Sequence, residues 1–264
     1  MNRPAFTLVE LLVVIAIIGL MSGVAIVSMS TSREKARIAA QQQYDTQISH
    51  SLGSEIIADW PLDEVSGTAI SDSSGNGFNA TFNGTVGAGS YVPGVYGNAV
   101  YLDGTTNYIR TSNSLSVTLN SFSASAWFKT TSGADQKIIS ADVSNHYLQT
   151  LSGNLRICTA NVCAPVGSKK YNDGLWHFAV VTGDGTSTRG YVDGVLQVTQ
   201  TANSSTITST TFSIGATGGT FAQRFTGSID EVRVYGAVLN ASAIKKMYAD
   251  GIANLSASSL VYNN

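Results

Sequence analysis

Two patterns of apolar positions divide the chain. Leu11 to Val27 contain no charged residue, and with Phe6 to Val9 in front the run approaches the roughly 20 apolar residues that a helix needs to cross a bilayer core. Residues 28–49 contain no proline, and Ile38, Tyr44 and Ile48 recur at helical intervals. The pattern predicts one continuous helix over residues 6–54, transmembrane in its first half at about 8–28. At 1.5 Å per residue such a rod is roughly 70 Å long. Gly19 and Gly23 are its weak points, where it can bend. After Gly53 the period changes to short alternating runs separated by turn residues, as at Asp72 to Gly77, Asp103-Gly104, Ser152-Gly153, Asp184-Gly185 and Asp193-Gly194. Residues 190–198 spell a hairpin closed by a two-residue Asp-Gly turn. Strands spaced about 8–12 residues apart without intervening helices predict an antiparallel β-sandwich or jelly roll over residues 55–264. One short helix is expected at about 241–250, capped by Asn240 and stopped by Gly251. The fold class is mainly β, with one long helix in front.

Composition narrows the function. Only 12% of the 264 residues are charged and the formal net charge is -2, which leaves no basic surface for a phosphate backbone and argues against a nucleic-acid partner. The charge that matters most is Glu10, the one carboxylate inside the apolar segment. Burying it costs on the order of 2.5 to 3.5 kcal/mol at mid-helix and less near the membrane edge, so it calls for a partner. A cleaved secretory signal, with Arg3 as its basic end and a cut after Ala25, is the alternative, but it leaves Glu10 unexplained. Arg33, Lys35 and Arg37 after the span outnumber Arg3 before it, so a count of basic residues points the first helix the other way from the motif described next.

The segment Ala5 to Leu12 resembles the prepilin processing motif of type IV pilins and type II secretion pseudopilins. The resemblance covers about the first 30 residues and implies that prepilin peptidase removes a leader, residues 1–5, between Ala5 and Phe6. The new terminus at Phe6 is then N-methylated. Where the family prefers glycine before the cut this chain has Ala5. Glu10 is the acid five residues into the mature chain, and the resemblance implies that it pairs with the Phe6 amine of a neighbouring subunit and sets axial register in the filament.

Six ordered segments, beginning at Ala58, Asp72, Tyr101, Phe122, Gly174 and Gly227, are similar to laminin G-like domains of the concanavalin A-like lectin superfamily. They span about residues 55–250 and imply a jelly roll of two curved sheets that binds carbohydrate or protein, often with calcium. The resemblance places a structural calcium ion, Ca2+, between the early loop, through Asp72 and Asn76, and the last strand, through Asp230 or Glu231. Alternation lets only one of those two acids face the ion.

No catalytic residues are assigned and the chain is expected not to be an enzyme. Glycoside hydrolysis needs two carboxylates facing one cleft, and neighbouring acids on a strand, Asp230-Glu231 or Asp63-Glu64, are expected to point to opposite faces. His50, His146 and His177 lack metal-ligand spacing and are expected to be surface or core residues. Trp60, Trp127 and Trp176 are expected to be structural, while Tyr91, Tyr96 and Tyr147 are the candidates for stacking on sugar. Cys158 and Cys163 flank what reads as a hairpin tip, which predicts a disulfide.

These readings converge on a pilin-like subunit. It sits as a single pass in the cytoplasmic membrane, then in an extracellular filament with other pilin subunits, displaying a lectin-like domain for adhesion. The alternatives are a structural secretion-system pseudopilin with no ligand of its own and a secreted lectin.

Overall fold

A computed structural model describes residues 8–9, 11–17, 55–111, 113, 121–141, 147–159, 162–201 and 212–259. Ala5, Phe6 and Glu10, and most of the expected long helix, lie outside the described residues. Residues 8–9 and 11–17 are helical and exposed. Among the described residues no helix is long and apolar enough to cross a membrane.

Sixteen strands among the described residues pair antiparallel in two sheets. The first sheet runs, edge to edge, β14 (Val195–Thr201), β13 (Ser187–Val192), β12 (Trp176–Gly183), β7 (Phe122–Lys129), β16 (Thr226–Tyr235), β5 (Asn98–Asp103) and β4 (Tyr91–Pro93), with β1 (Ile56–Trp60) also on β16. The second runs β11 (Val162–Lys170), β10 (Asn154–Thr159), β9 (Tyr147–Leu151), β8 (Gln136–Ser140), β15 (Ser213–Ile214), β6 (Tyr108–Thr111), β3 (Ala80–Asn83) and β2 (Ala69–Ile70). The expected hairpin joins β13 to β14, with Asp193 and Gly194 both at positive φ. That geometry is what a two-residue turn between twisted strands requires.

The period-2 pattern decides what each sheet buries. Phe122, Ala124, Ala126 and Phe128 of β7, Ile229, Val232 and Val234 of β16, and Ile109, Ile139, Leu148, Leu155 and Ile157 of the second sheet meet in one core. Burial of this kind contributes about 25 cal/mol per Å² of apolar surface. Trp60 lies in it, stacked on Phe212 with ring centroids 5.1 Å apart.

The outer face of the first sheet is covered by helix α1 (Ala241–Ser259). Asn240 caps it as expected, its Oδ1 accepting from the Ala243 amide at 2.8 Å. The helix does not stop at Gly251. A Cβ at that position would lie 2.2 Å from Cζ2 of Trp127, so this glycine lets the helix axis approach the indole instead of ending the helix. Trp127 accordingly packs under α1 against Tyr248 and Phe178 and is absent from the inter-sheet core.

Candidate ligand-binding face

The predicted calcium residues are not gathered into one ligand set. Asp72 is fully engaged: its two oxygens accept from the amides of Asp59, Ser74 and Phe78 and from the Ser74 hydroxyl at 2.8–3.0 Å. Burial opposes its ionisation, but these donors hold its carboxyl below the usual range. Asn76 turns its amide NH2 toward the carbonyls of Ile56 and Ile57. The loop is held by its own hydrogen bonds through the same side chains that the calcium expectation names. Among the described residues no cluster of three or more His, Cys, Asp or Glu could hold a metal.

Asp230 and Glu231 overturn the alternation argument. The register of β16 against β7 slips between Asp230 and Arg233, and Glu231 has φ 51°, the signature of a β-bulge. Ile229 and Val232 both reach the core, so the two acids between them share the outer side. They have no open cleft, being 0% and 2% exposed. Asp230 accepts from the amides of Val95 and Tyr96, and Glu231 is paired with Arg233, which also reaches Asp59 at 3.0 Å. Burial and the neighbouring Glu231 push the Asp230 carboxyl well above the ordinary range.

Other sequence candidates fall variously. Tyr96 is 4% exposed and is no stacking platform, contrary to expectation. Tyr91 donates its hydroxyl to the Gly67 carbonyl and packs on Phe82, and the side chain of Tyr147 lies outside the described residues. His177 is buried between Asp193 (2.9 Å) and Asp173 (3.1 Å). Burial lowers its pKa, but the two carboxylates outweigh that and leave it raised. Cys158 and Cys163 are register partners across the β10–β11 hairpin and are joined by a disulfide with Cα atoms 4.1 Å apart.

The cluster that sequence reading missed is on the outer face of the second sheet. Ile109 points inward, so Tyr108 and Arg110 point outward. The connection from Gly215 to Phe225 folds over that face, tied down by the Gly218 amide on Ser140 Oγ and by the Gln223 carbonyl accepting from the Lys137 amide. It brings Phe221 onto Tyr108, with rings stacked at 4.6 Å. The Arg110 guanidinium lies over the Phe221 ring at 5.3 Å and that of Arg224 over Tyr108 at 5.4 Å. The result is a four-layer ladder of guanidinium, two rings, and guanidinium.

Beside it, register places Lys137, Gln149 and Arg156 in one row across β8, β9 and β10. The Lys137 ammonium donates to Gln149 and lies 3.8 Å from Asp135. Burial keeps it below the ordinary lysine range, against the pull of Asp135 and with the push of Arg156. A period-2 reading can place Tyr108 and Arg110 on one face. It cannot reveal that Phe221 and Arg224 return to them from a remote Gly-rich connection.

Comparison with known proteins follows this division. The model of the concanavalin A-like lectin/glucanases superfamily matches residues 103–245, and the prokaryotic N-terminal methylation motif matches residues 1–26. No match was found among curated proteins. Among solved structures, domain 4 of an extracellular family-43 arabinanase from Geobacillus stearothermophilus, solved with arabinotriose, aligns with TM-score 0.59 and 23% identity over 74% of this chain and 98% of that one. The ligand-binding domain of botulinum neurotoxin serotype D, solved with N-acetylneuraminic acid, aligns with TM-score 0.58 and 18% identity over 76% of this chain. The binding domain of Paraclostridial mosquitocidal protein 1 gives 0.59 and 14% over 74%. This chain spans about half, 52%, of each of those two. At such identities the likeness is one of fold.

Proposed function

The chain belongs to the concanavalin A-like lectin/glucanases superfamily and begins with a prokaryotic N-terminal methylation motif, and from that premise we propose that it is a type IV pilin-like filament subunit whose β-sandwich binds carbohydrate outside the cell. The carrying observation is the union of the two in one sequence. A motif for cleavage and methylation precedes a sandwich with one outer face covered at Trp127 by α1 and the other presenting Tyr108, Arg110, Phe221 and Arg224. The fold neighbours solved with arabinotriose and with N-acetylneuraminic acid support a saccharide ligand in preference to a purely structural role.

In this reading prepilin peptidase cuts between Ala5 and Phe6, and the chain waits as a single pass in the cytoplasmic membrane. It then enters a filament with other pilin subunits through Phe6 and Glu10. We assign it no catalytic role, because the paired acids Asp230 and Glu231 are sealed under the outer covering of the first sheet. The test is to shear filaments from cells, identify the chain in them, and apply them to immobilised glycans. Retention that is lost on Arg110→Ala supports the proposal. Filaments that contain the chain and retain no glycan favour the structural pseudopilin, and a chain found only as a soluble secreted protein favours the lectin.

A further inference from the structure

We propose that the aromatic–arginine ladder is a receptor for an acidic oligosaccharide, one that carries carboxylates, and not a platform for neutral sugar; this rests on the carbohydrate-binding reading above. Neutral sugars stack on open aromatic faces, and here no ring face facing along the ladder is open. Tyr108 has Phe221 on one side and Arg224 on the other, and Phe221 has Tyr108 on one side and Arg110 on the other. What the ladder presents is its two end plates, both guanidiniums. Stacking on a ring leaves a guanidinium's in-plane N–H donors available, and that fork matches a carboxylate.

The partners already engaged leave most of those donors unspent. Arg224 donates one Nη1 bond to the Thr105 carbonyl, and its Nε is buried, so a ligand meets the remaining terminal N–H groups. Exposed Arg110 has no hydrogen-bond or ion-pair partner among the described residues.

Charge selects the same class of ligand. The chain has 15 Lys and Arg against 17 Asp and Glu, yet on this face Arg110 and Arg224 end the ladder and Lys137 and Arg156 share the neighbouring row, with Asp135 beside Lys137. The nearby Asp103 carboxylate, held ionised by the amides of Thr105, Thr106 and Asn107, offsets one of these charges and leaves the cations in excess. Lys137, 4% exposed, with its ammonium on Gln149, supplies a fixed positive field two strands across and three residues along from Arg110, a spacing of roughly 14 Å. A saccharide bearing carboxylates on successive residues meets an arginine plate first, with the buried Lys137 adding to the positive potential and the half-buried Arg156 lying beyond it.

The experiment is calorimetric titration of the full chain in neutral detergent micelles with four probes: oligogalacturonate, its fully methyl-esterified form, arabino-oligosaccharide, and a single-stranded oligodeoxynucleotide of similar charge. Oligogalacturonate is expected to bind at least tenfold more tightly than its ester, with affinity falling as salt rises. Arg110→Gln and Arg224→Gln are each expected to weaken it about tenfold, the usual scale for a charge-assisted hydrogen bond, with an unchanged melting midpoint for the exposed Arg110 variant. Equal binding of ester and acid, or of arabino-oligosaccharide, overturns the acidic-ligand inference and leaves the carbohydrate reading standing. Binding of the oligonucleotide equal to oligogalacturonate overturns it in favour of unspecific polyanion attraction. No binding of any saccharide overturns both.

Discussion

Gly251→Ala is expected to destabilise the sandwich although alanine is the better helix former. The substitution favours the helix by about 1 kcal/mol. Against that, the new methyl would sit 2.2 Å from Cζ2 and 2.9 Å from both Cε2 and Cη2 of Trp127, where carbon pairs prefer about 3.5–4.0 Å. Trp127 cannot yield easily: it is fully buried, packed on Phe178 at 5.1 Å and stacked on Tyr248 at 5.7 Å. Overpacking costs about 1–3 kcal/mol; a contact this short on a fully buried indole takes the top of that range, about 3 kcal/mol, and the net loss after the helix gain is about 2 kcal/mol. With a urea slope of about 2 kcal/mol/M, the unfolding midpoint falls by about 1 M. All three tryptophans lie in the sandwich, so their fluorescence in detergent-solubilised full chain reports its unfolding directly. Trp127→Phe, which trims the clashing edge, should recover part of the loss in the double variant. A midpoint that rises in Gly251→Ala refutes the close-approach argument.

Further outcomes follow from the other sites. Asp230→Asn is expected to be neutral or stabilising at pH 7. With a folded-state pKa above its unfolded value, Asp230 contributes stability that is fully present below the unfolded pKa and lost as pH rises through the folded pKa, so the variant's urea midpoint should change less between pH 4 and 7. A loss of about 3–5 kcal/mol at pH 7, the scale of a broken buried ion pair, contradicts this. Asp72→Ala removes four hydrogen bonds and should cost about 2–4 kcal/mol, equally with calcium and with excess chelator; a chelator-induced fall in the melting midpoint of the unmodified chain would show that the loop also holds an ion. Glu10→Ala should leave membrane insertion intact and sharply lower filament incorporation, as read by the chain content of sheared filaments; undiminished incorporation removes its register role.

Local chemistry made some features legible and hid others. The Asp193-Gly194 hairpin, the Asn240 cap and the Cys158–Cys163 pairing each depend on residues close in sequence, and each forms. The overall sandwich was legible from period-2 runs because its core residues alternate strictly along most strands. Gly251 misled because a helical glycine has two physical uses, ending a helix or admitting a neighbour, and only the distant Trp127 decides between them. Alternation failed at Asp230-Glu231 because the edge partner of β16 changes there from β5, which pairs up to Ile229, to β1, which pairs from Val232. The chain absorbs that change in a bulge. The Tyr108–Phe221 ladder was invisible for the same reason: one half is a strand and the other a returning connection.

The central claim is that one chain is both a processed filament subunit and a saccharide-binding sandwich, and mass analysis of the N-terminal peptide from sheared filaments tests it most directly. The expected peptide begins at N-methylated Phe6, in filaments that also bind oligogalacturonate. A chain that begins at Met1, or after Ala25, contradicts the account.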